Sequence, residues 1–306
     1  MTTQIPEKIQ LGESSLRVSP LGVGTNTWGA GSRADPGLRP AFEAALDLGI
    51  DFFDTAEIYN SGGSERTLGQ FLQAEKRSVA IASKFFPFPW RLRKFDLAAA
   101  LSNSLERLGR SQLDLYMIHF PFPPVRLATW MDALAEAVTA GLVRAVGISN
   151  CNPEQMRSAH AALAKRGIPL ASNQVEFSLL RRKVERQGLL KACLELGVTL
   201  VAYRPLSSGL LSANYSPDNP PAFIRGRYYG RTYLGRISLL INQLAAIATG
   251  HGKTISQVAL NWVISKGALP IPGARKAEHM RENAGALGWH LSPEEMALLD
   301  RLSDLL

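Results

Sequence analysis

The sequence predicts a single α/β domain spanning residues 1–306, a (β/α)8 barrel of the TIM type, and two observations carry that prediction. The first is spacing. Apolar runs occupy Leu21–Val23, Phe52–Phe53, Val79–Ala82, Leu113–Ile118, Val143–Ile148, Ser172–Val175, Val198–Ala202 and Ala268–Ile271. The first seven begin 26 to 34 residues apart, the length of one strand, one crossover helix and two loops. The second is the helix punctuation between them. Phe95 to Leu108 repeats apolar residues at helical spacing before Gly109. Asn152-Pro153-Glu154 offers a cap, a first-turn proline and an acid, predicting a helix to about Arg166 that stops at Gly167. Gln187 to Leu196 ends at Gly197 directly before a strand, and Ser292-Pro293-Glu294-Glu295 opens a C-terminal helix as a capping box. Ahead of the first strand, Lys8–Leu11 and Leu16–Val18 flank Gly12-Glu13 and read as a hairpin placed to close the barrel floor. A 70-residue gap separates the last two runs, so a long loop is expected after strand 7.

Composition removes several function classes. A chain that is 46% hydrophobic and 20% charged, with mean hydropathy −0.02, is too apolar to be disordered. No apolar run nears the roughly 20 residues of a membrane helix, and Met1 to Gln10 lacks the core of a signal peptide. Two cysteines, Cys151 and Cys193, make no disulfide framework, so a reducing cytoplasm is expected and no membrane partner. The net charge is +8, but residues 204–236 hold Arg204, Arg225, Arg227, Arg231 and Arg236 against Asp218 alone. Half of the excess charge therefore lies in one loop, which suits an anionic small molecule, and no nucleic-acid partner is expected.

Barrel enzymes carry their chemistry at the C-terminal ends of the strands. Those ends deliver Asp54, Lys84, His119, Ser149-Asn150, Gln174 with Glu176, and Tyr203. Singly, each has an ordinary explanation: Asp54 as a helix cap, Lys84 reaching to solvent, His119 as a structural hydrogen-bonder, and Tyr59 and Tyr203 as half-buried aromatics. Six polar ends above apolar strand interiors are harder to explain by packing. Five histidines without a His-x-His or His-Glu-x-x-His pattern argue against a metal site, and no Gly-x-Ser-x-Gly elbow is present. A Tyr–Lys pair backed by an Asp and a His can instead donate a proton, the ammonium lowering the phenol pKa. A lysine at a strand end can also attack a carbonyl, which leaves a Schiff-base lyase open.

The segment Gly49-Ile50-Asp51-Phe52-Phe53-Asp54-Thr55-Ala56-Glu57-Ile58-Tyr59 resembles the best-known signature of the aldo-keto reductase superfamily, and Gly62-Gly63-Ser64-Glu65 continues it. Leu113-Asp114-Leu115-Tyr116-Met117-Ile118-His119, Val146-Gly147-Ile148-Ser149-Asn150 and Ile271-Pro272-Gly273-Ala274-Arg275-Lys276 are similar to three further motifs in the same order. The resemblance covers nearly the whole chain. It implies NADPH-dependent reduction of an aldehyde or ketone, with Tyr59 as general acid, Lys84 and Asp54 supporting it, and His119 orienting the carbonyl. It implies cofactor contacts from Thr25, from Ser149, Asn150 and Gln174 at the carboxamide, and from Tyr203 stacked on the nicotinamide. Leu206, Ser208 and Gly209 would pass the pyrophosphate. Gly273, Arg275 and Lys276 would take the 2′-phosphate end, with His279 and Asn283 at the adenosine. His279 stands where many relatives carry Gln. Trp28, Phe120, residues 85–92 and the loop from Asn214 to Arg236 would shape the pocket of a small carbonyl substrate. Tyr203-Arg204-Pro205-Leu206 and the long seventh loop look closest to the branch of potassium-channel β-subunits and plant, cyanobacterial and pyridoxal-type reductases. A cofactor-keeping sensor that turns over slowly is the third reading, and the sequence singles out no surface for self-association.

Overall fold

The computed structural model describes residues 6–30, 35–212, 214–222 and 229–306. Strands β1 (Ile9–Gln10) and β2 (Arg17–Val18) pair antiparallel as the expected hairpin. Eight parallel strands follow: β3 (Val23–Gly24), β4 (Phe52–Asp54), β5 (Ala80–Phe85), β6 (Leu113–Ile118), β7 (Val143–Ser149), β8 (Leu170–Glu176), β9 (Thr199–Tyr203) and β10 (Leu269–Ile271), each hydrogen-bonded to the next. The ring shuts where Gly22 and Gly24 donate their N–H groups to the carbonyls of Pro270 and Pro272, both at 3.0 Å. Glycine is needed on that seam, because a Cβ on Gly22 would come within 2.7 Å of the Phe52 ring. The fold is therefore the (β/α)8 barrel.

Helices α1 (Leu38–Asp47), α2 (Gly63–Leu72), α3 (Lys94–Leu108), α4 (Leu127–Thr139), α5 (Pro153–Ala164), α6 (Lys183–Arg186), α7 (Leu189–Glu195), α8 (Arg231–His251), α9 (Ile255–Ser265), α10 (Ala277–Ala284) and α11 (Pro293–Asp304) surround it. The caps fall where their chemistry requires. Asn152 and Ser292 accept from the N–H of Gln155 and Glu295 in reciprocal capping boxes, and Gly109 ends α3 in the left-handed region. Among the described residues no helix is long and apolar enough to cross a membrane.

Two apolar layers result. The outer one lies between the strands and the helices; the inner one fills the barrel with Phe52, Ala80, Ala82, Leu115, Met117, Ala145, Val201, Leu269 and Ile271. Leu11, Leu16 and Val18 of the hairpin belong to the inner layer, so the hairpin plugs the floor. Gly12 at its tip has φ +58° and lies so close to the Ala171 carbonyl that a Cβ would approach within 2.5 Å. Lys8 fixes the hairpin to Asp51 by a 2.5 Å ion pair.

The long seventh connection holds one correction. Arg231 and Arg236 lie on α8 rather than on a loop, the first bonded to the Pro217 carbonyl and the second to the Leu306 carbonyl. Arg225 and Arg227 fall outside the described residues.

Candidate active site

Strand side chains alternate between the two faces of the barrel wall. Phe52, Ala82, Met117 and Val201 point into the lumen, so Asp54, Lys84, His119 and Tyr203, each two positions further, point the same way at its upper end. Ser83, of opposite parity, faces outward and donates to Glu65 at 2.6 Å. Parity alone thus gathers residues from four strands over the inner core.

Lys84 is the centre of the cluster and fully buried. Its Nζ donates to Asp54 Oδ2 at 2.7 Å, to the Thr55 carbonyl at 2.7 Å and to Tyr59 Oη at 3.4 Å, which uses all three of its protons. The second oxygen of Asp54 accepts from Gln174 Nε2 at 2.6 Å. Burial pulls the Lys84 pKa down, yet the Asp54 carboxylate and the Tyr59 hydroxyl outweigh it and leave it above its ordinary value. An ammonium with no free lone pair is not a nucleophile, which argues against the lyase alternative.

The Tyr59 phenol behaves differently from the sequence expectation. Desolvation raises its pKa more than Lys84 lowers it, because Asp54 offsets much of the lysine charge. The phenol keeps its proton at neutral pH. His119 meets Tyr59 edge-on, with ring centroids 5.7 Å apart. Burial and the Lys84 charge push the His119 pKa down to about 3, so its imidazole is neutral at physiological pH. The unfolded chain takes up that proton near pH 6.5 and the folded one near 3. Its stability contribution is therefore complete above pH 6.5 and drains away as the pH falls towards 3. Proton NMR across pH 8 to about 5 should show His119 without a titration step; a midpoint near 6.5 would refute this.

Beside this cluster a second network forms. Ser149 Oγ donates to the Gln174 carbonyl at 2.8 Å, Asn150 Nδ2 to the His119 carbonyl at 3.0 Å, and Tyr203 Oη to Asn150 Oδ1 at 3.0 Å. Outside glycine, the left-handed residues among those described are Asn60, Ser61, Asn150, Arg204, Ser207 and Ser208, all on loops leaving the upper strand ends. Such backbone costs of order 1–3 kcal/mol per residue and collects where ligands are held. Leu206, Ser208 and Gly209 lie in the turn that leaves β9, where the Gly209 and Leu211 N–H groups donate to the Leu206 carbonyl at 3.0 and 3.2 Å. Arg275 and Lys276 are exposed at the start of α10, with His279 Nδ1 3.5 Å from the Arg275 N–H. Gly273 bridges to Gly24 across the barrel seam. Asn283 is buried, and its Nδ2 has no partner. A buried amide donor costs about 1–3 kcal/mol until an acceptor reaches it, so Asn283 fits an adenosine contact.

Two residues expected at the site are buried in this structure. Trp28 does not line a pocket: it is fully buried between Phe53 and Phe71, 6.1 and 5.9 Å away, and its Nε1 donates to the Ala274 carbonyl. Thr25 is also fully buried, its hydroxyl donating to the Asp54 carbonyl at 2.9 Å, so it braces the aspartate from behind. Phe120, in contrast, stacks on His119 at 5.1 Å and on Phe122 at 4.8 Å. Phe86 meets His119, Phe120 and Phe122 edge-on and approaches Phe88 at 4.6 Å, while Phe88 stacks on the exposed Trp90. An aromatic wall thus runs from His119 to solvent. The sequence reading did not find Glu57, which accepts from the Phe86 N–H at 2.6 Å and pairs with Arg91, tying the Tyr59 turn to this wall. Its position two residues before Tyr59 was the only signal. A separate cleft of about 880 Å³ opens outside the barrel mouth near Arg275, and none of Asp54, Tyr59, Lys84 or His119 lines it.

Comparison with known proteins agrees with this fold. The profile of the Aldo/keto reductase family matches residues 20–304. The chloroplastic pyridoxal reductase of Arabidopsis thaliana is 39% identical, with 96% of this chain and 85% of that protein covered. An uncharacterized oxidoreductase of Mycobacterium tuberculosis is 37% identical over 94% of this chain and 89% of its own. The crystal structure of an aldo-keto reductase from Klebsiella pneumoniae in complex with NADPH superposes with a TM-score of 0.80 at 30% identity, covering 98% and 96% of the two chains. With a reductase barrel closed by its own hairpin and a Tyr–Lys–Asp–His cluster at its mouth, the chain belongs to the aldo/keto reductase family and is an oxidoreductase of carbonyl compounds.

Proposed function

We propose that this enzyme reduces a planar aromatic aldehyde to the alcohol with Tyr59 as the proton donor; the contact of Lys84 Nζ with Tyr59 Oη carries the reading. The cofactor is NADP(H), which when bound supplies the hydride. Tyr59 Oη delivers its proton to the carbonyl oxygen, and the adjacent ammonium of Lys84 stabilises the phenolate left behind. Asp54 and the Thr55 carbonyl keep that ammonium in place. His119, neutral, offers a ring N–H to the carbonyl oxygen and so aims it at Tyr59. Arg275 receives the 2′-phosphate, with Lys276 beside it.

The wall of Phe120, Phe122, Phe86 and Phe88 supports the substrate class. One aromatic pair contributes about 0.5–1.5 kcal/mol beyond area burial, enough for roughly tenfold discrimination. Pyridoxal, the aldehyde named for the Arabidopsis relative, belongs to this class. The reading places the enzyme in the cytoplasm, where Cys151 and Cys193 persist as buried thiols.

NADPH consumption with a panel of aldehydes tests the proposal. Aromatic aldehydes, pyridoxal among them, are expected to exceed short aliphatic ones in kcat/KM by about tenfold. Equal rates across the panel would remove the aromatic wall from substrate selection, and no turnover on any member would refute the reductase reading.

A further inference from the structure

Arg275 is not idle at the rim. Its Nε and Nη2 both donate to Oδ2 of Asp35, 240 positions earlier, at 3.0 and 2.5 Å. The other oxygen of Asp35 accepts from the Gly37 N–H at 3.0 Å, and its carbonyl accepts from the Leu38 N–H, so the carboxylate is fastened to the start of α1. Gly37 in turn lies against the Arg275 carbonyl, which a Cβ would approach within 2.5 Å. The two side chains remain 27% and 56% exposed and line the cleft of about 880 Å³, so a ligand can reach them.

Resting on the reading that Arg275 receives the 2′-phosphate, we propose that Asp35 is the anion that holds Arg275 until the phosphate arrives, and that it sets the enzyme's affinity for phosphorylated cofactor. The Nε–Nη2 edge is the edge of a guanidinium that binds phosphate in two-point fashion. Asp35 occupies that edge. A carboxylate and a phosphate dianion repel one another across one guanidinium, so the phosphate gains only the difference between two ion pairs. A cofactor without the phosphate leaves the Asp35–Arg275 pair undisturbed. Asp35 thereby lowers the affinity for NADP(H), leaves that for NAD(H) unchanged, and speeds release after turnover.

Calorimetric titration with adenosine 2′,5′-bisphosphate and adenosine 5′-monophosphate tests this on the full chain. Asp35→Asn keeps the shape and the Gly37 contact while removing the charge. It is expected to bind the bisphosphate about fivefold more tightly than wild type, with the monophosphate unchanged and the gain shrinking at high salt. Against an Arg275→Ala background only direct charge repulsion is left to remove, so the same change is expected to give a smaller gain than in the wild-type background. A wild type that fails to prefer the bisphosphate would overturn the phosphate role of Arg275 itself. A wild type that does prefer it, with Asp35→Asn binding no tighter or more weakly, would overturn the Asp35 proposal alone. Unchanged melting of the variant separates either result from loss of fold.

Discussion

Tyr59→Phe is expected to lower kcat by about 10²- to 10⁴-fold, the usual contribution of a positioned general acid, while leaving the Kd for NADPH near wild type. The substitution removes one hydroxyl and nothing else. The ring keeps its edge-on contact with His119 and stays 4.9 Å from Lys84 Nζ, so the loop has no reason to move. Lys84 loses its longest hydrogen bond, at 3.4 Å, and keeps the two at 2.7 Å. Steady-state rates with an aromatic aldehyde, read beside a fluorescence titration of NADPH, separate chemistry from binding. Wild-type turnover would remove Tyr59 from the mechanism. The pH dependence has a defined sign as well. Burial holds the Tyr59 pKa above 10, and the acid must be protonated to act. Reduction by wild type should therefore hold steady across neutral pH and fall only in the alkaline range.

Lys84→Met should affect stability as much as activity. It removes the cation from a pair that is 0% and 2% exposed and leaves Asp54 charged, buried and short of a partner. Breaking a buried pair from one side costs about 3–5 kcal/mol. Gln174 still donates to Asp54, which argues for the lower part of that range. The double variant Asp54→Asn with Lys84→Met removes both charges and is expected to regain part of the stability but none of the turnover. Urea unfolding of the two single variants and the double variant measures the coupling. Additive losses would mean that the pair is not the unit described.

Much of this arrangement was legible from residue order. The regular spacing of strands and the caps at Asn152, Ser292 and Gly109 are local features, and local features can be read along a chain. Asp54, Lys84 and His119 were visible because each stands within two residues of the end of an apolar run. What stayed hidden was set by three-dimensional partnership. Trp28 looked like a pocket residue, but its partners are Phe53, Phe71 and a carbonyl 246 residues away. Gln174 is expected at a carboxamide, and residue order did not show that its amide nitrogen is also bonded to Asp54 across 120 residues. The net direction of the Tyr59 pKa shift depends on how burial weighs against an ammonium already paired with Asp54, and residue order does not encode that balance.

The two-residue alternation that gathers Asp54, Lys84, His119 and Tyr203 also behaves as a reading frame for the site. Loss of one residue from the start of β5 would turn Lys84 out towards Glu65, the present partner of Ser83, and turn Ser83 in towards Asp54. Point substitution can retune this enzyme, and its loops can lengthen, without disturbing that frame. Insertions and deletions within the strands cannot, so divergence among such barrels is channelled into the connections above the rim and away from the wall beneath it.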